Sequence, residues 1–209
     1  RRLRTCVPMI LLLLLLCACG EGGEAKGSPA EELALAIRGE LLDMTACTAG
    51  MELTADYGQR VYEYTMQVSY ERGGETVLTV TAPEEIAGVT ARIREKDTVL
   101  EYDGVRWETG ALTPGGMSPV DAVPALLTYA QEGFMAECGM ETAGDAELLR
   151  VVYRDPEGTA GVGEECSLWF DPQSHALTRG ELSQDGFTVI QCVVTEFSRS
   201  QAEPPAGQS

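Results

Sequence analysis

The sequence is poor in the residues that build metal sites. His175 is the only histidine in 209 residues, and no two cysteines stand in C-x-x-C spacing. Structural zinc sites need four closely spaced cysteine or histidine ligands, so a zinc site is not expected. No acidic loop with the EF-hand pattern is present either. The sequence therefore predicts no metal and no cofactor.

Motifs of the common enzyme classes are also missing. There is no G-x-S-x-G elbow, no H-E-x-x-H helix and no glycine-rich phosphate loop. The acid pairs Glu84-Glu85 and Glu164-Glu165 could form a glycosidase dyad. In a chain with 33 acidic residues they are expected to be solvated loop residues instead. We predict no enzymatic activity and no catalytic residue.

Basic side chains are scarce as well, with 15 Lys and Arg against 33 Asp and Glu. Residues 1–18 carry three arginines and no acid, so the rest of the chain has a formal charge of −21. Nucleic-acid binding needs a basic face and is excluded as a function class. The excess acid is interpreted as a solubility feature of an exposed surface.

The first residues have the pattern of a secretory signal. Three arginines precede an apolar run over Val7–Ala18, which is too short to span about 30 Å of hydrocarbon. The segment Leu16–Gly20 resembles the bacterial lipobox, although Cys17 stands where Ala or Ser is commoner. We therefore predict a lipoprotein signal peptide over residues 1–18 and lipidation at Cys19. Cys17 is the weaker candidate because Leu16 is bulky.

Lipidation at Cys19 would attach the chain to the cell membrane on its extracytoplasmic face. Two acyl chains, such as palmitate, anchor a protein stably, whereas one does so only marginally. Residues 19–27 are predicted to be the lipidated cysteine and a flexible tether rich in Gly and Glu. A tether of this length reaches about 15 Å. The membrane, through the lipid anchor, is thus one expected partner.

Two helices are predicted from capping signals. Ser28-Pro29-Ala30-Glu31 begins a helix over 29–45, and Ser118-Pro119-Val120-Asp121 begins one over 118–132. Pro124 is expected to kink the second helix slightly. The apolar positions recur at helical spacing: Leu33, Ile37, Leu41 and Met44 in the first, and Val120, Val123, Leu126, Leu127 and Ala130 in the second.

Most of the remaining chain alternates with the period of two that is typical of half-buried strands. The Asp-Gly pairs at 103–104 and 185–186 are hairpin signals that predict a positive φ at each glycine. The predicted strands cover residues 51–57, 62–70, 76–82, 89–94, 98–102, 105–109, 147–154, 166–171, 176–184 and 187–197.

The order of helix, strand meander, helix, strand meander predicts one mainly β (α+β) domain over residues 28–198. With only two helices, the sheet is expected to curve strongly into an incomplete antiparallel barrel with the helices on its concave face. A polar, disordered tail is predicted for 199–209. Cys47, Cys138, Cys166 and Cys192 permit two disulfides outside the cytoplasm. Small buried thiols are preferred, since a strand is predicted between Cys166 and Cys192.

Several segments carry a resemblance to a known family. They are the strand Asp56–Tyr64, the corner Thr81–Ile86, the hairpin Glu101–Trp107, the helix start Ser118–Asp121 and the hairpin Leu182–Phe187. In this order the chain resembles the LolA/LolB-like lipoprotein-carrier superfamily, which includes outer-membrane lipoprotein-sorting proteins. Its anchored form is similar to the germination lipoproteins of spore-forming bacteria.

The resemblance implies a hydrophobic groove between sheet and helices that holds acyl chains or lipid. The candidate lining is Tyr62, Tyr64, Met66, Val68 and Tyr70 from the sheet and Leu41, Met44, Leu126 and Leu127 from the helices. Periodicity alone allows the same residues to form a filled core. The carrier of the superfamily has a functional arginine early in its first strands, and residues 46–57 contain none, so shuttling of other lipoproteins is not expected.

Two functions from different classes follow. The first is a membrane-anchored lipoprotein that binds a hydrophobic ligand in the groove. The alternative is a protein-interaction lipoprotein with a filled core that binds or regulates an envelope partner such as a cell-wall hydrolase. A cavity of several hundred Å³ would favour the lipid ligand, and a filled interior would favour the protein partner.

Overall fold

A computed structural model describes residues 27–94, 97–110 and 117–201. The predicted signal peptide, Cys19 and residues 202–209 of the tail lie outside these ranges. The helices are α1 (Pro29–Asp43) and α2 (Pro119–Glu132), with a short 3₁₀ turn at Glu84–Ile86. The strands are β1 (Met44–Asp56), β2 (Val61–Glu71), β3 (Thr76–Ala82), β4 (Thr90–Arg94), β5 (Asp97–Tyr102), β6 (Val105–Gly110), β7 (Met135–Ala143), β8 (Ala146–Tyr153), β9 (Glu164–Phe170), β10 (Leu177–Gln184) and β11 (Phe187–Gln201).

Both helices begin at the predicted caps. The Ser28 hydroxyl accepts from the backbone N–H of Glu31 at 3.2 Å, and the Glu31 carboxylate accepts from the N–H of Ser28 at 2.6 Å, which completes a capping box. The Ser118 hydroxyl accepts from the N–H of Asp121 at 3.2 Å. These bonds satisfy N–H groups that have no partner within the helix.

The strands form a single antiparallel sheet in the order β6-β5-β4-β3-β2-β1-β11-β10-β9-β8-β7. Strands that follow one another in sequence pair in space, except that β6 and β7 lie at opposite edges of the sheet. The pairing of β1 with β11 joins the two meanders. The sheet is open and strongly curved, and its first and last strands do not meet. The predicted α+β class and incomplete barrel are confirmed.

Both predicted hairpin glycines have a positive φ, 77° at Gly104 and 78° at Gly186. The residue before each, Asp103 or Asp185, also has a positive φ, as a two-residue turn that matches the twist of the strands requires.

The first strand begins earlier than predicted. The helix ends at Asp43 rather than 45, and Met44 already has an extended backbone with φ −63° and ψ 127°. From there β1 runs to Asp56 between β2 and β11, so the predicted start at Met51 was wrong by seven residues. The apolar residues keep their helical spacing as far as Met44, but the backbone hydrogen bonds that β1 forms with β2 and β11 favour the extended conformation there.

One strand was not predicted. β7 lies at the edge of the sheet and contacts only β8 along its backbone ladder. Its alternation is weak because Glu137 and Gly139 interrupt the apolar positions and the register shifts after Met135. At the other end, β11 continues to Gln201, so the domain extends three residues past the predicted boundary at 198.

The core lies between the concave face of the sheet and the two helices. Among its fully buried members are Ile37 of α1, Leu53 of β1, Leu168 of β9 and Ile190 of β11. Arg38 ties the helices together, because its guanidinium donates to the carbonyls of Ala130 and Gly133 at the C-terminal end of α2, at 3.2 and 2.6 Å. A cation there also complements the helix dipole.

The four cysteines of the described domain are free, as preferred from the sequence. Cys166 and Cys192 are completely buried, and β10 lies between their strands as predicted. Burial raises the pKa of the Cys192 thiol to about 12. Cys47 and Cys138 are half-buried.

Candidate ligand groove

An apolar groove lies between α2, the end of α1 and the central strands of the concave face. Its cavity volume is about 230 Å³. The lining comes from both helices and from β1, β2, β3, β9, β10 and β11: Leu41, Met44, Cys47, Ala49, Met51, Val68, Tyr70, Thr76, Val123, Pro124, Leu126, Leu127, Thr128, Ala130, Gln131, Phe170, Leu177, Val194 and Phe197.

None of the lining side chains carries a charge. Its few polar groups include Thr76, Thr128 and Gln131, and the amide of Gln131 donates to the carbonyl of Leu41 at 2.8 Å. That bond joins α2 to the last turn of α1 and directs the amide to the helix backbone. Such a surface attracts apolar groups and offers a charged ligand no compensation for lost water.

The groove is partly open to solvent, and its lining ranges from exposed to buried residues. Thr128 is exposed, and Val194 and Phe197 of β11 are only half-buried, whereas Ala49 and Met51 on the floor are buried. The floor of the groove is thus formed by β1, and its more accessible lining by α2 and β11.

Six of the nine predicted lining residues come together here: Leu41, Met44, Val68, Tyr70, Leu126 and Leu127. Met66 shares their face of β2 but is buried in the core and does not border the cavity. The prediction for Met66 is corrected to a core residue, because its side chain is buried and does not border the cavity.

Tyr62 and Tyr64 lie at the far end of β2 and do not border the groove either. The prediction that they line it is therefore corrected as well. Tyr62 stacks on Tyr64 with ring centroids 6.5 Å apart and meets the edge of Tyr57 at 6.2 Å. The Tyr57 hydroxyl donates to the carbonyl of Met117, just before α2, at 2.9 Å. These tyrosines form a separate aromatic cluster near the start of that helix.

Of the thirteen lining residues that were not predicted, five belong to α2, three to β1 and two to β11. Cys47, Ala49 and Met51 alternate on β1 and are paired across the ladders with Tyr70, Val68 and Met66 of β2. This alternation was readable in the sequence once β1 begins at Met44. Val194 and Phe197 could not be placed by alternation, because the register of β11 shifts between the partners of Gly50 and Met51.

The Cys47 thiol borders the groove but is not activated. Burial raises its pKa to about 11, so it is protonated at neutral pH and is a poor nucleophile. It acts as a small apolar wall residue.

A polar clamp fixes the last turns of α1 near the groove. The Glu40 carboxylate binds Nδ1 of His175 at 2.8 Å and also binds the Arg199 guanidinium of β11. His175 reaches it from the β9–β10 turn, where its φ is 59°. Burial alone would raise the pKa of Glu40, but the hydrogen bond to His175 and the charge of Arg199 outweigh that effect and lower the pKa.

The clamp predicts an acid-sensitive contribution to stability. Because the pKa of Glu40 is lower in the folded chain than its ordinary 4.5, the contribution is complete above that value and is lost as the pH falls through the folded pKa. Thermal unfolding of Glu40→Gln and the native chain should differ at neutral pH and converge in acid. Glu52→Gln, at an exposed position of β1, is the matched control. A gap that is constant with pH would contradict the clamp.

Among the described residues, no three His, Cys, Asp or Glu side chains are grouped so that they could hold a metal ion. Neither of the two described helices has the length and apolar character that a membrane span requires.

No family model and no curated protein matches the sequence. Solved structures do match in fold. A conserved uncharacterised protein from Thermus thermophilus is 13% identical over 83% of this chain and 89% of its own, with a TM-score of 0.49. A LolA superfamily protein from Nitrosomonas europaea is 11% identical over 84% and 94%, with a TM-score of 0.40.

The lipoprotein LppX from Mycobacterium tuberculosis is 16% identical over 80% of this chain and 95% of its own, with a TM-score of 0.41. The resemblance to LolA-like proteins that the sequence suggested thus recurs as a likeness of fold.

Proposed function

We propose that the protein is a membrane-anchored, extracytoplasmic lipoprotein that binds one apolar chain, such as the acyl chain of a lipid, in the groove beneath α2. The observation that carries the proposal is an uncharged cavity of about 230 Å³ that is partly open to solvent. A well-packed domain of this size leaves few voids larger than a water molecule.

The size of the cavity limits the ligand. An apolar cavity of about 150 Å³ already binds benzene, whereas drug-sized ligands occupy about 300–1,000 Å³. The groove therefore has room for a segment of one chain, while the rest of the lipid projects through the mouth. No charged group lines the groove, so the ligand is selected for its apolar segment.

Binding should depend on chain length. Each methylene moved out of water contributes about 0.8 kcal/mol, which is about a fourfold gain in affinity. We expect the affinity for saturated fatty acids to rise by this factor per methylene until the groove is full, and then to level off. Displacement of a fluorescent fatty acid measures the series. A response without dependence on length would contradict an apolar groove ligand.

Anchoring at Cys19 has its own test. Cys19→Ala should abolish incorporation of a fatty-acid probe and release of the signal peptide, because the thiol is the acyl acceptor. Cys17→Ala leaves that thiol and places the commoner alanine in the lipobox, so it should label like the native chain. Probe fluorescence on a denaturing gel reads both variants. Labelling that follows Cys17 instead would move the anchor and the mature N-terminus.

The alternative function, an interaction lipoprotein for an envelope protein, is favoured by the modest volume of the cavity, which is below the usual range for ligand sites. Fatty acids that do not bind at any chain length would select this alternative. In either case we propose that the chain is not an enzyme, since the groove offers no charged group and its thiol is not activated.

A further inference from the structure

The β6 edge of the sheet is exposed and carries two large apolar side chains. All side chains over residues 105–109 are exposed, including Val105 at 49% and Trp107 at 48%. β6 pairs with β5 on one side, and no other described strand lies on its outer side. Open edges present unpaired backbone groups and are templates for another strand.

The hairpin determines which backbone groups face outward. Tyr102 and Val105 flank the two-residue turn Asp103-Gly104, so they form a hydrogen-bonded pair. The alternation of an antiparallel ladder then makes Leu100 and Trp107 the next such pair. The N–H and C=O groups of Trp107 thus point to β5, while those of Arg106 and Glu108 point to the open edge.

These outward groups match a second β6 in one antiparallel register. If Trp107 lies opposite its own copy, Arg106 lies opposite Glu108 of the other chain, and the reverse pair forms by symmetry. Arg106 and Glu108 are then hydrogen-bonded pairs, as their backbone direction requires, and carry opposite charges. A register shifted by two residues would keep the same backbone groups paired, but it would place Arg106 opposite Arg106 or Glu108 opposite Glu108.

Charged side chains on the convex face are already arranged in a way that fits this contact. A row of alternating charges crosses the strands from Glu75 through Arg92 and Glu101 to Arg106, with distances of 2.8, 2.9 and 2.9 Å. The row ends at the edge, where the Arg106 side chain is still 66% exposed. In the paired register, Glu108 of the second copy would be the next acid in the row, and arginine has donors left to bind it.

The other edge lacks these features. β7 carries Glu137 and Glu141 and no basic side chain, so no register of two β7 strands brings opposite charges together. Exposed charge of one sign is a common protection of sheet edges.

We propose that β6 pairs with β6 of a second copy of this chain about a two-fold axis, with Trp107 against Trp107 on the concave face and two Arg106–Glu108 ion pairs on the convex face. The proposal is independent of the ligand in the groove. A strand pair of this length buries less than a standard interface of about 1,200–2,000 Å². The dimer should therefore be weak in dilute solution and should form where copies are concentrated, as in a membrane.

A charge reversal tests the register in membranes of cells that express the full chain. Arg106→Glu replaces two attractions with two repulsions and should lower the dimer association constant by about tenfold or more. The double variant Arg106→Glu/Glu108→Arg restores opposite charges in this register alone and should recover dimerisation. Glu101→Gln, which lies inside the sheet beside Arg106, is the control for loss of the charge row.

Cross-linking reports the pairing directly. In the proposed register Trp107 and Trp107 of the second copy form a non-hydrogen-bonded pair whose Cα atoms are about 4.5 Å apart, within the range of a disulfide, and they lie before the register shift of β6. The variant Trp107→Cys should give a covalent dimer under mild oxidation, whereas Val105→Cys, which is four residues out of line with its own copy, should not. Failure of Trp107→Cys to cross-link, or of the double charge reversal to recover, would overturn the proposal. A cross-link to a protein of different mass would assign the edge to that partner instead.

Discussion

Replacing Gly180 with valine is expected to lower the free energy of unfolding by about 3 kcal/mol, the upper end for overpacking a filled core. A Cβ atom at this position of β10 would stand 2.8 and 2.9 Å from the two methyl carbons of Leu126 and 3.2 Å from a methyl of Leu168. Both leucines are buried. The missing side chain lets α2 rest directly on the sheet, and valine would push the helix away.

A matched control is available on β7. A Cβ at Gly139 would meet no atom within 4 Å, so Gly139→Val is expected to be neutral or mildly stabilising in a strand. Chemical denaturation measures both variants. If Gly180→Val is as stable as Gly139→Val, α2 does not sit on β10 as described.

The cause of the effect can be isolated with a double-mutant cycle. Leu126→Ala alone should cost about 2–5 kcal/mol, since it removes buried methyl groups. In combination with Gly180→Ala, the new methyl group occupies part of the vacated space. The double variant should therefore lose less free energy of unfolding than the sum of the losses of the two single variants. Additive losses would contradict the contact between Leu126 and Gly180.

Local signals explain how much of the fold was predictable. Ser28 and Ser118 allow the helix starts to be predicted, because each hydroxyl accepts from an N–H group only three residues further along the chain. The hairpin at Asp103-Gly104 is also predictable from local sequence, since these two residues determine the geometry of the turn. The curvature of the sheet and the position of the helices were predicted from the number of elements, because two helices can cover the apolar face of so many strands only if the sheet curves around them.

Long-range pairing explains what was missed. Residues 44–50 extend because β2 and β11 supply ladder bonds on both sides, and the local sequence does not carry that information. β7 was missed because an edge strand needs no strict alternation. For the groove, the apolar face of β2 was identified correctly, but periodicity could not tell that Met66 is enclosed while Val68 and Tyr70 border space. That difference depends on where α2 lies along the sheet.

Filling the groove from its floor is expected to abolish ligand binding with little loss of stability. Ala49 is buried on β1, between Val68 of β2 and Phe197 of β11 in the ladders, and borders the cavity. The ring of Ala49→Phe would occupy the volume proposed for the acyl chain. We expect the affinity for a fluorescent fatty acid to fall by about tenfold or more, because two or more methylenes lose their place at about 0.8 kcal/mol each.

The stability of this variant separates a groove from a solid core. Where a cavity exists, the added ring replaces empty space and the free energy of unfolding should stay within about 1 kcal/mol of the native value. Thr48→Phe is the control, because it places the same ring on the exposed opposite face of β1 and should leave binding unchanged. A variant Ala49→Phe that is stable and binds fatty acid as tightly as the native chain would show that the ligand lies elsewhere. One that is strongly destabilised would show that the space beside β1 is already filled, which leaves the interaction lipoprotein as the function.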